Sequence, residues 1–310
     1  MDKNSIKKGH VFALLTVFVW STTGISTKIL LKSFSPIEIF FYRMIIAYIA
    51  LLIIKPGFIR YKNLKEELTF IFAGISGITL FFIFNNFALL YTQASNVGVL
   101  TSIAPFITAL LSYIFLKDEE LKKKFFIGFG ISIIGIILIG YNGNYVLKLN
   151  PLGDILAMLA AMSWASYSVL MKKISIYHYD IFLCTRKIFF YGLIFMIPVL
   201  LMTGFKFSLK EFYSMTNLIN MIYLGIGASA LCYITWNYAV TVIGAIKTSV
   251  YMYLQPIITI IMSAAILGER ITYISILGVA FILTGIYFSE GKTKLKFRSS
   301  ISSAKERKVS

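Results

Sequence analysis

The chain has 310 residues, 58% of them hydrophobic and only 14% charged, with a mean hydropathy of +0.81. Soluble domains run about 45–50% apolar and about 25% charged, so a surface hydrated on all sides is excluded and the chain reads as an integral membrane protein. The two cysteines, Cys184 and Cys232, lie inside apolar runs, which excludes a disulfide framework or a cysteine metal site. His10 and His178 sit at the ends of apolar runs, so no histidine metal cluster and no cofactor is expected.

A membrane helix needs about 20 mostly apolar residues. Such runs fall at 10–30, 35–54, 68–90, 96–116, 125–141, 152–171, 180–201, 217–240, 247–267 and 272–289. They leave only tails and short loops, with no room for a soluble catalytic or nucleic-acid-binding domain. The run from Val11 lacks a small-residue cleavage pattern and leads into Ser21-Thr22-Thr23-Gly24, so it reads as a retained first span.

The net charge of +17 is distributed unevenly. With the N-terminus placed in the cytoplasm and ten alternating spans, 21 of the 30 basic residues fall on the inner side. Six (Lys28, Lys32, Lys148, Lys206, Lys210 and Arg270) fall outside, and Arg43, Arg186 and Lys187 fall within spans. This bias fits the positive-inside rule and places both termini in the cytoplasm of a multi-pass inner-membrane protein. The basic tail is expected to lie against anionic lipid headgroups. Nucleic acid is not an expected partner, because no aromatic-interleaved basic module accompanies the charge.

The chain repeats itself. A shift of 144 carries Ala13, Leu15, Trp20 and Lys28 onto Ala157, Leu159, Trp164 and Lys172. A shift of 151 gives 13 identities over the 45 positions from 74 to 118, among them Asn86 with Asn237 and Pro105 with Pro256. A shift of 150 matches Gly128 and Gly135 with Gly278 and Gly285. Five spans per repeat is an odd number, so the second copy enters the membrane inverted. The expected fold class is an all-α integral membrane protein with ten transmembrane helices as two inverted five-helix repeats. Residues 1–146 and 147–291 form the repeats, and 292–310 the basic cytoplasmic tail. Such repeats exchange conformations to open a site near the bilayer midplane to each side in turn.

Tryptophan in spans one and six, the stretch Asn-Phe-Ala-Leu-Leu-Tyr-Thr-Gln-Ala-Ser (86–95) before Pro105, Gln255-Pro256, and Leu267-Gly268-Glu269-Arg270 together carry a resemblance. Over about residues 8–290 the chain resembles the drug/metabolite transporter superfamily, EamA type. The first-half counterpart of the last motif, Leu116-Lys117-Asp118-Glu119, departs from it, with Lys117 in place of glycine. The resemblance implies a carrier with a central cavity lined mainly by spans one, three, four, six, eight and nine. It leaves amino acids, sugars, nucleotide precursors and drugs all open as cargo.

Polar residues within hydrocarbon are costly and mark pathways or close helix contacts. Trp20 and Trp164 lie midway along their spans and are candidates to wall the cavity and stack on a flat or cationic solute; packing is the competing reading. Asn85-Asn86 and Trp236-Asn237 occupy equivalent places, and amides suit both ends of a zwitterion, although asparagine also joins helices. Pro105 and Pro256 kink spans four and nine and free the carbonyls of Thr101 and Met252. This makes Thr101, Ser102, Tyr251, Tyr253 and Gln255 substrate-site candidates, against a simple kink satisfied by hydroxyls. Arg43 and Glu38 are candidates for gating or anion attraction; Arg186 and Lys187 read as structural, paired with Asp180, Glu38 or carbonyls. At the shift of 144, Arg43 falls on Lys187.

Glu38, Asp118, Asp154, Asp180 and Glu269 all lie near span ends, which favours a facilitator or solute exchanger over a proton antiporter with a buried acidic relay. The expected function is export of a small organic metabolite, an amino acid or related zwitterion, by a monomer or weak homo-oligomer. Nucleoside, sugar or drug-like solutes are the alternatives within transport. A membrane-embedded enzyme or a channel is the alternative outside it, and no His–acid or Ser–His arrangement within the spans supports an enzyme.

Overall fold

Polar caps mark where the apolar runs become helices. In the computed structural model, which describes residues 3–60, 62–92, 94–116, 123–140, 150–203, 205, 207–258, 261–262 and 273–289, the regular structure among those residues is helical. Helix α1 spans Lys3–Leu30. Helix α2 (Pro36–Ile54) starts in a capping box, Ser35 accepting from the Glu38 N–H while Glu38 accepts from the Ser35 N–H. Helix α3 runs Leu64–Tyr91 from an Asn63 cap. The span around Pro105 is broken into α4 (Ala94–Thr101) and α5 (Ala104–Phe115). Helix α6 is Lys123–Gly140. Helix α7 (Pro151–Ser175) has an Asn150 cap, proline in its first turn and Lys172 and Lys173 in its last, complementing the helix dipole. Helix α8 (Ile181–Met202) is capped by Asp180; α9 is Met215–Ile243, α10 Ala245–Val250 and α11 Tyr273–Ser289.

Helices α1, α2, α3, α7, α8 and α9 are long and apolar enough to cross a membrane. Large apolar side chains such as Phe18, Ile53, Phe72 and Leu201 project outward, whereas Thr16, Thr79, Asn86, Ser229 and Asn237 are buried. That distribution reverses the soluble pattern, because lipid tails solvate apolar groups and leave polar ones to find partners inside.

Contacts recur between the halves. Helix α1 runs antiparallel to α9, with hydroxyls paired at Thr16–Thr235 (2.6 Å) and Thr22–Tyr223 (2.5 Å). Helix α7 runs antiparallel to α3, with Trp164 and Phe81 ring centroids 5.0 Å apart and Tyr177, just past the end of α7, 3.4 Å from Thr69. A π-helical stretch interrupts α3 at Ile75–Leu80 and α9 at Tyr223–Leu231, and the shift of 151 carries 75–80 onto 226–231. Two glycines at these stretches let a neighbouring helix close in. A Cβ on Gly74 would lie 2.8 Å from the Ile188 carbonyl oxygen and 2.7 Å from Tyr191 Cβ. One on Gly225 would lie 3.3 Å from the Arg43 carbonyl oxygen and 2.6 Å from Ile46 Cγ2. The matching contacts make Ile188 the counterpart of Arg43, a shift of 145, so the sequence match of Arg43 with Lys187 is off by one residue. Helices α6 and α11 cross antiparallel with reciprocal contacts: a Cβ on Gly135 would lie 2.5 Å from the Gly278 oxygen, and one on Gly285 2.5 Å from the Gly128 oxygen.

The proline breaks resolve differently from expectation at one carbonyl. Pro256 leaves the Met252 oxygen without an α-helical donor, and the chain tightens into a 3₁₀ turn, Tyr251–Leu254, in which the Gln255 N–H reaches that oxygen. Leu267-Gly268-Glu269-Arg270, Lys117-Asp118-Glu119 and the tail 292–310 lie outside the described residues.

Candidate substrate site at the centre of the helix bundle

The three tryptophans of the chain meet. Trp20 on α1, Trp164 on α7 and Trp236 on α9 have ring centroids 4.9 Å (Trp20–Trp164), 5.1 Å (Trp20–Trp236) and 5.7 Å (Trp164–Trp236) apart. Trp20 meets Trp164 edge to face at 87°, an arrangement that sets the positive ring edge against a negative face. Phe81, Tyr167 and Tyr233 complete the cluster, at 5.0, 5.2 and 5.6 Å from the Trp164 ring. Trp20 Nε1 donates to the Ala228 carbonyl at 2.9 Å. The indole N–H groups of Trp164 and Trp236 are buried with no protein acceptor among the described residues. A buried donor left unpaired costs about 1–3 kcal/mol, and this cluster holds two of them.

Asn237 stands beside the cluster, accepting from the Tyr167 hydroxyl at 2.5 Å and donating to Thr185 at 3.0 Å. Its sequence counterpart Asn86 donates instead to the Pro36 carbonyl at 3.1 Å. Asn85 is half-buried on α3. Arg43 is 5% exposed. Its Nε donates to Ser229 Oγ at 2.6 Å, and its guanidinium carbon lies 4.4 Å from the centroid of the Phe82 ring.

The other candidates are placed elsewhere. Thr101 and Ser102 bond back to the Val97 and Gly98 carbonyls of their own helix. The Tyr251 hydroxyl pairs with His10 Nδ1 at 2.7 Å. Tyr253 is buried in a separate apolar cluster with Ala109, Phe125 and Ile282, and Gln255 is half-buried next to Pro256. Glu38 is engaged in the α2 capping box.

At the end of the bundle where α2 stops and α3 and α8 begin, charged groups tie the halves together. Lys187 pairs with Glu67 at 2.7 Å, both largely buried, and Tyr191 also donates to Glu67. Tyr179 donates to Glu66 at 2.7 Å, Lys55 pairs with Asp180 at 2.5 Å, and Arg186 donates to the Lys55 carbonyl at 2.7 Å. Burial would raise the Asp180 carboxyl, but Lys55 and the backbone N–H groups of Leu183 and Phe182 outweigh it and hold the group below its ordinary value. Beside this latch lies a cavity of about 220 Å³, lined by Ile174, His178, Tyr179, Cys184, Tyr238 and Thr241 among others. The opposite end is held by aromatic contacts, Phe41–Phe205 (4.8 Å) and Tyr42–Phe212 (4.9 Å), and by Tyr42 donating to the Ser208 carbonyl.

Sequence reasoning missed Tyr167 and Tyr233, although each stands three residues from a cluster tryptophan on the same helix, the spacing that puts side chains on one face. It also missed Glu67, Ser229 and Thr185, which no local pattern marks.

The model of the EamA-like transporter family matches residues 7–141 and again 151–290. The chain belongs to the EamA-like transporter family. It is 30% identical to an uncharacterised transporter of Archaeoglobus fulgidus, over 92% of this chain and 98% of that one. It is also 30% identical to an uncharacterised transporter of Clostridium kluyveri, over 93% and 95%. The protein PecM of Dickeya dadantii is 28% identical over 89% and 90%. A crystal structure only 16% identical shares the fold, with a TM-score of 0.74 over 92% of this chain and 96% of that one. This EamA-like chain is therefore a multi-pass membrane protein of a transporter family.

Proposed function

We propose that the chain is an alternating-access carrier of ten transmembrane helices, built as two inverted repeats (1–146 and 147–291), that exports an amino acid or related zwitterion. The observation that carries this reading is the meeting of Trp20, Trp164 and Trp236 on three helices drawn from both halves. Aromatic faces attract an ammonium group, and the free indole N–H groups of Trp164 and Trp236 offer donors to a carried solute. Recurrent π-helical stretches and the reciprocal α6–α11 glycine contacts support an inverted pair that exchanges conformations.

In the conformation described, the rings touch and both ends are tied, so it corresponds to a closed stage of the cycle. Opening toward one end parts the ionic latch; opening toward the other parts the Phe41, Tyr42 and Phe205 contacts. Both termini lie in the cytoplasm of the inner membrane, and segment 292–310 rests on anionic headgroups. The carrier acts as a monomer or weak homo-oligomer, as a facilitator or exchanger. A strong response of transport in liposomes to an imposed pH gradient would contradict that last point.

The test compares metabolites exported by cells expressing the intact chain, a Trp20→Ala/Asn237→Ala variant at matched membrane abundance, or neither. One metabolite class rising outside only with the intact chain supports carrier and site together. Matching profiles for the two chains, both different from empty cells, would remove the site and leave the carrier. No change in either removes export.

A further inference from the structure

We infer that Arg43 is the counter-ion for the anionic group of the carried solute, so that the central site selects a molecule bearing a carboxylate beside its ammonium. This rests on the carrier reading above and names the chemistry of that same site.

Three basic residues fall inside spans, and the structure separates them. Lys187 has the Glu67 carboxylate at 2.7 Å. Arg186 lies near the start of α8 and donates to the backbone carbonyl of Lys55, with Phe58 over its guanidinium. Arg43 is buried, and among the described residues no carboxylate pairs with it. Its hydrogen-bond partner there is the neutral Ser229 hydroxyl, reached through Nε alone. A guanidinium has five N–H donors in a planar fork shaped for a carboxylate, so most of this fork is left open. A charge held in the bilayer interior without a counter-charge is strongly unfavourable, and a structural role would be met more cheaply by an apolar side chain.

Position supplies the second argument. The guanidinium lies over Phe82, whose ring centroid is 6.4 Å from that of Tyr233; Tyr233 in turn is 5.6 Å from Trp164 and 6.0 Å from Trp20. Cation and aromatic cluster are thus two ring layers of one assembly. A carboxylate that takes the open fork in a paired, charge-assisted contact leaves the ammonium beside it on the Tyr233 side, between Arg43 and the indoles. Ser229 belongs to the π-helical stretch of α9, the type of local winding that recurs at functional sites. Its hydroxyl is a weak partner that a carboxylate displaces. The matched half has no equivalent, because Ile188 occupies the place of Arg43; the site is therefore polarised, with one anion subsite.

All three tryptophans lie in the cluster, so intrinsic fluorescence reports the site directly. The intact chain in lipid nanodiscs is titrated with the standard amino acids, the corresponding amino-acid amides and the corresponding decarboxylated amines. The expected result is a saturable fluorescence change with one or more acids, and about tenfold to hundredfold weaker binding of the matched amide and amine, the range for a hydrogen bond to a charged group. Arg43→Lys keeps part of the preference for the acid and Arg43→Gln loses it. Equal binding of acid, amide and amine by the intact chain overturns the inference without recourse to any variant. So does an unchanged acid preference in Arg43→Gln, or no response to any acid. If those results come together with an export profile that still differs from empty cells, the carrier stands and only the anion subsite falls.

Discussion

The two halves of the bundle hold the same residues at matching places and use them differently. Asn237 is locked between Tyr167 and Thr185, whereas Asn86 donates to the Pro36 carbonyl. The residues of the first half that match Tyr167 and Thr185 are Thr23 and Phe40, and neither can reproduce that bridge. The buried bases are not matched at all: Lys187 on α8 is neutralised by Glu67, and Arg43 on α2, whose counterpart is Ile188, has a serine. The glycines and π-helical stretches, by contrast, do the same thing twice. At these places backbone architecture is shared, and side-chain chemistry has diverged on top of it.

The sharpest break in that comparison is between the two bases. Lys187→Met strands the largely buried Glu67 carboxylate and is expected to cost up to about 3 kcal/mol of stability, recovered when Glu67→Gln is added. Arg43→Met strands no carboxylate and is expected to be near neutral or stabilising. Thermal unfolding in detergent checks both, and a cost for Arg43→Met equal to that for Lys187→Met would contradict the difference in pairing. The asparagines come next: Asn237→Ala leaves the buried Tyr167 hydroxyl without its acceptor, while Thr185 keeps the Ile181 carbonyl, and should cost about 2–3 kcal/mol, against about 1 kcal/mol for Asn86→Ala, in the same assay. Equal costs would contradict the difference in how the two asparagines are used. Gly135→Ala and Gly285→Ala each push a methyl onto a facing backbone oxygen and should each cost about 1–3 kcal/mol, by matching amounts; unequal costs would argue against the reciprocal crossing.

The smallest effect concerns the latch. Because the folded Asp180 carboxyl lies below its ordinary value of about 3.9, its contribution is complete at neutral pH and is lost as pH falls through the lower folded value. The Lys55–Asp180 pair is partly exposed, at 45% and 35%, and is worth at most about 1 kcal/mol. Lys55→Ala should flatten the acid limb of a stability–pH curve; a limb of unchanged slope would show that the pair contributes nothing.

Much of the scaffold was legible in the sequence, because hydropathy and repeated Asn, Pro, Gly and Trp report directly on spans and on matched positions. Trp20, Trp164 and Trp236 were all candidates, and the structure brings them together. What the sequence could not carry is pairing across helices. Arg43 and Lys187 look alike as bases within spans, and only the packing of Gly74 and Gly225 fixes their register and shows that they are not counterparts. Glu67 reads as an ordinary first-turn acid until α8 is placed against it. Tyr251, Tyr253 and Ser102 bond or pack with groups other than the tryptophans, since polarity near a proline break does not say which way a helix turns its side chains.

The central claim is that the tryptophan cluster is reached from each side of the membrane in turn. Its most direct measurement places a thiol there, Trp20→Cys in a Cys184→Ser/Cys232→Ser chain, and labels it with a membrane-impermeant maleimide from one face at a time in oriented vesicles. The account predicts labelling from either face, slowed by a bound solute, with no ion leak through the vesicle. Labelling from one face only under every condition, from neither, or from both together with a leak would contradict it.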